Sequence, residues 1–261
     1  AAIGASSTAI LISRLILGPA PDFSLAAAHT PAAGMPLVYA AAAVWPLHVV
    51  TGVVAGIAAT GYNRALLGLL ALADRFAHWP AEAWAAAVGA VVGLVVWFAP
   101  GLAGGGDAIT QRVLAGGMGL GPVALAFLLR FWFGPLCYAA RTPGGLFAPL
   151  LVLGAQLGFL CGALCRFAFP GLGIDPQAFA VIGMAAFFAG VVQAPVTGIV
   201  LVTEMTAAFT TLLPMLAACF AAMLVANLLK TAPIYDSLRE RILAAAGADS
   251  QPPPPPRARE D

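Results

Sequence analysis

Residues Pro176 to Leu229 read PQAFAVIGMAAFFAGVVQAPVTGIVLVTEMTAAFTTLLPMLAACFAAMLVANLL and carry one charge, Glu204, in 54 positions. A hydrocarbon core about 30 Å thick is crossed by roughly 20 helical residues, so this stretch holds at least two crossings. A second uncharged stretch runs from Phe23 to Asn63. Across all 261 residues, 61% are hydrophobic and only 9% charged, whereas a soluble domain carries about a quarter charged residues. With a mean hydropathy of +0.95, the chain is not a water-soluble globular protein. Twelve basic against eleven acidic residues leave a net charge of +1, with no cationic face for a phosphate backbone, so nucleic acid is excluded as a partner. The alternation of a membrane barrel is absent and the Ala/Leu/Val/Gly runs suit helices that satisfy their own backbone groups. The expected fold is an all-α polytopic bundle whose partner is the lipid bilayer.

Proline and glycine punctuate the chain. Ile3 to Leu17 is a first apolar segment, and Met35 to Ala73 is long enough that it must tilt, kink near Pro46 or break. Ala83 to Ala99 is the next crossing, followed by the glycine run Gly101 to Gly106 and a short segment to about Gly116. Pro122 to Ala140 is expected to break at Gly134-Pro135, and Leu146 to Phe169 follows. Pro176 to Val192, Pro195 to Ala208 and Pro214 to Leu229 are three further segments, several of them shorter than a bilayer is thick. Helices that end inside a membrane leave unpaired N–H or C=O groups facing something polar, which marks a transport pathway.

Pro143-Gly144-Gly145-Leu146-Phe147-Ala148-Pro149 opens one such helix. The glycines free the backbone to turn, and the N–H groups of Leu146 and Phe147 stand at a helix N-terminus without intrahelical acceptors. That end carries about half a positive charge and forms an anion site without a formal cation. A full cation would hold an anion too long for rapid passage.

These residues bear a resemblance. Gly144 to Pro149 resembles the G-G-I-F-A-P motif of the CLC family of chloride channels and chloride/proton antiporters. Gly183-Met184-Ala185-Ala186, Gln193 to Gly198 and Leu201 to Thr206 resemble its G-M-G-A, R-A-P-L-T-G and L-V-L-E-M-T block. Pro233-Ile234-Tyr235 is similar to its P-L-Y, and Gly104-Gly105-Gly106 to its triple-glycine loop.

The resemblance implies transport of chloride through a voltage-gated channel or a chloride/proton antiporter, with no enzymatic step and no cofactor. It implies a homodimer with a separate pathway in each subunit, built from inverted-topology repeats in a bacterial inner membrane. Chloride would be held at Gly145, Leu146, Phe147 and the Tyr235 hydroxyl, a neutral donor of suitable strength. Gly144, Ala148, Pro149, Pro233 and Ile234 would support them. The family's G-S-G-I-P and G-[RK]-E-G-P segments are absent. The expected extent is therefore the last helix of the first repeat plus the second repeat over 1–246, with the N-terminal half missing. Residues 247–261, with Pro252 to Pro256, would form a disordered tail. Five of the twelve basic residues lie in the last 32 positions, which places the C-terminus in the cytoplasm. A non-conducting half-transporter is the rival reading.

The remaining polar groups receive structural readings. Glu204 is an intramembrane carboxylate, which the resemblance assigns to a segment at the dimer interface, hydrogen-bonded or protonated. Arg130 and Arg141 could steer anions, but snorkelling to the interface is the expected use for them and for Arg64, Arg75 and Arg166. Cys137, Cys161, Cys165 and Cys219 read as small hydrophobes, and His29, His48 and His78 share no ligand spacing, so no metal site is expected. Gly104-x-Gly106-Asp107 and Tyr235-Asp236 match the paired motifs of intramembrane aspartyl proteases, in reversed order. That enzyme reading is the least favoured.

Overall fold

The computed structural model describes residues 23, 37–75, 80–102, 104–140 and 145–249. Among them there are nine α-helices and no strand: α1 Leu37–Arg75, α2 Ala81–Phe98, α3 Asp107–Leu114, α4 Leu120–Ala139, α5 Phe147–Ala168, α6 Pro176–Val192, α7 Pro195–Thr206, α8 Leu212–Leu228 and α9 Ile234–Asp249. The segment Ile3 to Leu17, His29, His78, Arg141, Gly144 and the proline tail lie outside the described residues. By length and hydropathy, Val44–Arg75, Leu120–Ala139, Phe147–Ala168 and Phe209–Leu228 can each cross a bilayer. Glu82–Phe98, Pro176–Val192 and Pro195–Thr206 are apolar but shorter. The molecule is a polytopic membrane helix bundle.

α6 is the hub. It is apolar all round and buried along almost its whole length, from Phe179 through Val191, as a helix enclosed by other helices must be. Its ends follow from local chemistry. The Asp175 carboxylate accepts the Gln177 N–H at 3.0 Å with Pro176 in the first helical position, and Gln193 closes the helix in the left-handed region at φ 59°. Pro195 then starts α7, because a proline is well placed in a first turn.

Small residues set how closely the helices approach. A Cβ on Gly158 of α5 would lie 2.1 Å from the Phe179 carbonyl oxygen of α6, and one on Gly183 would lie 2.4 Å from the Gly154 carbonyl oxygen. α1 meets α8 the same way, with Gly52 and Gly56 against the Ala218 and Ala222 backbone. Where lipid is as apolar as the side chains, such backbone-to-backbone packing drives association.

The break expected at Gly134-Pro135 is absent, since α4 runs unbroken through Pro135; of the tilt, kink or break expected of Met35 to Ala73, the break is absent, and α1 is one helix with Pro46 inside it. A proline forfeits one ladder bond, but neighbouring helices and local adjustments satisfy the freed carbonyl in a bundle, so a buried membrane helix continues where a solvated one would end. The stretch Gly171 to Pro176 is a turn, with a short 3-10 segment Pro170–Leu172 and Gly173 at φ 60°.

Candidate functional site

α5 begins at Phe147, with Leu146 as its N-cap residue at φ −83°, ψ −17°. Its first intrahelical bond runs from the Leu150 N–H to the Leu146 carbonyl at 3.1 Å. The amides before Leu150 have no partner within the helix, and Pro149 has no N–H to offer. The donors at this end are therefore the amides of Leu146, Phe147 and Ala148. The Phe147 ring is held edge-on to Phe188 of α6, with centroids 5.7 Å apart.

This helix end opens on a cavity of about 270 Å³. It is lined by Gly145, Leu146, Pro149 and Leu153 at the start of α5, by Arg130, Phe133, Gly134, Cys137 and Tyr138 of α4, and by Tyr62 of α1, Val92 of α2 and Gly104.

Arg130 corrects the snorkelling expectation. It is only 7% exposed, and its guanidinium donates to the carbonyl oxygens of Gly105 and Gly104, each at 3.3 Å. Gly104 and Gly106 adopt φ 72° and 96°, turns that point loop carbonyls at the arginine, and a Cβ on Gly106 would sit 2.6 Å from its Nη1. The glycine loop thus wraps a buried cation, and two of its carbonyls accept from Nη1 and Nη2 of that cation. Arg64, also expected to snorkel, is exposed and donates to the Leu229 carbonyl at the end of α8 at 3.1 Å.

Tyr235 stands in the first turn of α9 and is 45% exposed. Partial burial and the neighbouring Tyr138 hydroxyl push its phenol above the ordinary value of 10.0. Tyr138 also lines the cavity, whereas Tyr235 is not among the residues that line it. The turn before Tyr235 is clamped by side chains from distant elements. Asn63 Nδ2 donates to the carbonyls of Val191 and Ala232 at 3.1 and 3.5 Å, and Gln193 Nε2 to that of Thr231 at 2.5 Å. Ile234 is fully buried and fixes where α9 starts.

Of the residues singled out in the sequence, the cavity brings together Gly145, Leu146 and Pro149. Phe147 and Ala148 follow in the same helical turn, and Pro233 and Ile234 lead into Tyr235. Glu204 faces outward from α7. Asp107 and Asp236 lie in the first turns of α3 and α9, and neither lines the cavity, so the paired-carboxylate geometry of a protease is not assembled there. Among the described residues, no cluster of His, Cys, Asp and Glu is suited to a metal ion. Tyr62, Gly134, Tyr138 and the clamp residue Asn63 carried no motif and went unread as site residues.

The chain is similar to known membrane proteins. A family model described as voltage gated chloride channel matches residues 1–227. An H(+)/Cl(-) exchange transporter ClcA of Vibrio cholerae is 40% identical over 156 residues, covering 60% of this chain and 33% of that protein. The protein of the same name from Cronobacter sakazakii is 35% identical over 208 residues, covering 78% and 44%. Among solved structures, a slow cyanobacterial Cl-/H+ antiporter superposes with a TM-score of 0.78 at 30% identity, covering 90% of this chain and 53% of that one. A CLC-type fluoride/proton antiporter shares the fold, with a TM-score of 0.61 at 17% identity. The chain spans between a third and a half of the length of the curated relatives it matches.

Proposed function

We propose, from the premise that this chain belongs to the voltage gated chloride channel family, that it forms part of a membrane protein that moves chloride. The anion is held by the α5 N-terminus and the Tyr235 hydroxyl, and no covalent step or cofactor is involved. The observation that carries this reading is a helix N-terminus opening on a cavity whose one arginine is engaged by loop carbonyls. Amide dipoles, not a formal cation, draw the anion, and release stays fast. The relatives named as H(+)/Cl(-) exchange transporters favour exchange coupled to protons over simple conduction.

The binding set in this reading is Gly145, Leu146, Phe147 and Tyr235, supported by Gly144, Ala148, Pro149, Pro233 and Ile234. Residues 1–246 form the membrane domain, with inverted-topology repeats in the whole protein, and 247–261 a cytoplasmic tail in a bacterial inner membrane. Two copies form a dimer, with the outward face of α7 around Glu204 near the contact. The test is chloride efflux from liposomes holding the full-length protein, read together with proton uptake. Tyr235→Phe lowers chloride affinity and loosens proton coupling; transport indifferent to Tyr235 and to the Gly145-Leu146 turn refutes the assignment.

A further inference from the structure

The proposed anion site accounts for the amides of α5 and for Tyr235, but leaves one polar group of the same cavity unexplained. Tyr62 of α1 is 0% exposed, and its hydroxyl has no hydrogen-bond partner among the described residues. Its ring is held edge-on by Phe131 at 5.6 Å and Phe187 at 5.9 Å, which fixes the direction of the phenol. A Cβ on Gly134 would meet the Tyr62 oxygen at 2.8 Å. Gly134 thus leaves the space that the hydroxyl occupies, which gives a reason for a glycine inside α4, where that residue weakens a helix. Both residues line the cavity with Gly145 and Leu146.

We propose that the Tyr62 hydroxyl is a further anion-contacting donor of this cavity. The inference rests on the chloride reading above and adds a ligand to it. Its chemistry follows from the imbalance of the site. The amides of α5 are donors only, and the phenol is a donor in want of an acceptor. A halide only accepts, and both the α5 amides and the phenol O–H can donate to it. The ring contacts hold the hydroxyl in place without a partner, so its orientation does not have to be established when the anion arrives.

The test uses the purified full-length protein and chloride or bromide titrated by calorimetry. Tyr62→Phe keeps the ring and its edge contacts and is expected to weaken chloride binding about tenfold, the loss of one hydrogen bond to a charged acceptor. Gly134→Ala, which fills the hydroxyl's space, is expected to weaken binding to the same degree. The double variant is expected to bind no more weakly than Tyr62→Phe alone, because both changes remove one contact. Chloride affinity in Tyr62→Phe within twofold of the parent, with Tyr235→Phe impaired, overturns this inference and leaves the chloride reading standing. A parent protein that takes up no chloride overturns both. Should Tyr62→Phe not fold, Gly134→Ala decides alone: an unchanged chloride-to-bromide affinity ratio refutes the role of Tyr62.

Discussion

Gly158→Ala is the most direct perturbation of the packing that holds the α5 N-terminus in place. The added Cβ would lie 2.1 Å from the Phe179 carbonyl oxygen and 2.9 Å from the Gly183 Cα, whereas ordinary contact begins near 3.4 Å. The nearest atoms are backbone, so no side-chain rotation relieves the clash. α5 and α6 must separate by more than an ångström, and the neighbouring Gly154 and Gly183 contacts open with them. Overpacking of this kind costs about 1–3 kcal/mol, against which the gain in helix propensity from Gly to Ala is about 1 kcal/mol. Gly93→Ala in α2 is the control, since nothing lies within 4 Å of its Cβ position and only the propensity gain remains. Thermal unfolding of the full-length protein in detergent checks the pair: Gly158→Ala lowers the melting temperature and Gly93→Ala leaves it level or raised. Equal melting temperatures for the two variants would refute the claim that α5 is seated by backbone contact on α6.

Arg130→Met removes the two hydrogen bonds from a charged donor to the Gly104 and Gly105 carbonyls, a net cost of about 1–3 kcal/mol; the melting temperature falls while the folded fraction retains its preference for chloride, which flux measurements on that fraction check. Asn63→Leu releases the Val191 and Ala232 carbonyls, loosens the turn before Tyr235, and weakens anion binding without touching the anion, as calorimetry beside a melting curve shows. Because burial and Tyr138 raise the Tyr235 phenol above its ordinary value of 10.0, its neutral form is the one the fold favours. That contribution is fully present below pH 10 and is lost as pH rises through the raised value. Chloride affinity is therefore flat from neutral pH to about pH 9 and falls at higher pH as the phenolate forms and repels the anion; a fall beginning near pH 7 contradicts a neutral phenol as the donor.

Much of the architecture was legible because membrane helices are bounded by residues with local effects. Pro176 and Val192 were read as the limits of one segment, and the structure ends α6 at those residues, since an aspartate cap and a left-handed Gln193 act within a few positions of themselves. The start of α5 at Phe147, one residue after the Leu146 read as the beginning of that segment, was legible for the same reason. The break expected at Pro135 does not occur because the cost of a proline depends on what surrounds the freed carbonyl, and only a folded bundle decides that.

The arginine was misread for a related cause. Snorkelling is the outcome when a cation has no acceptor at its own depth, and the acceptors for Arg130 come from Gly104 and Gly105, whose neighbours' positive φ angles turn their carbonyls toward it. Two features read separately, a run of glycines and a charge in an apolar helix, are one device. Tyr62 and Gly134 stand in the same relation: each is unremarked in its own helix, and only their juxtaposition gives either a meaning. Motifs record what neighbours in sequence do to one another, whereas the donors and acceptors of this cavity are balanced between α1, α4, α5 and the glycine loop. A substitution at any one of them is therefore felt as an unpaired group on another, and that is where its effect on the anion is to be sought.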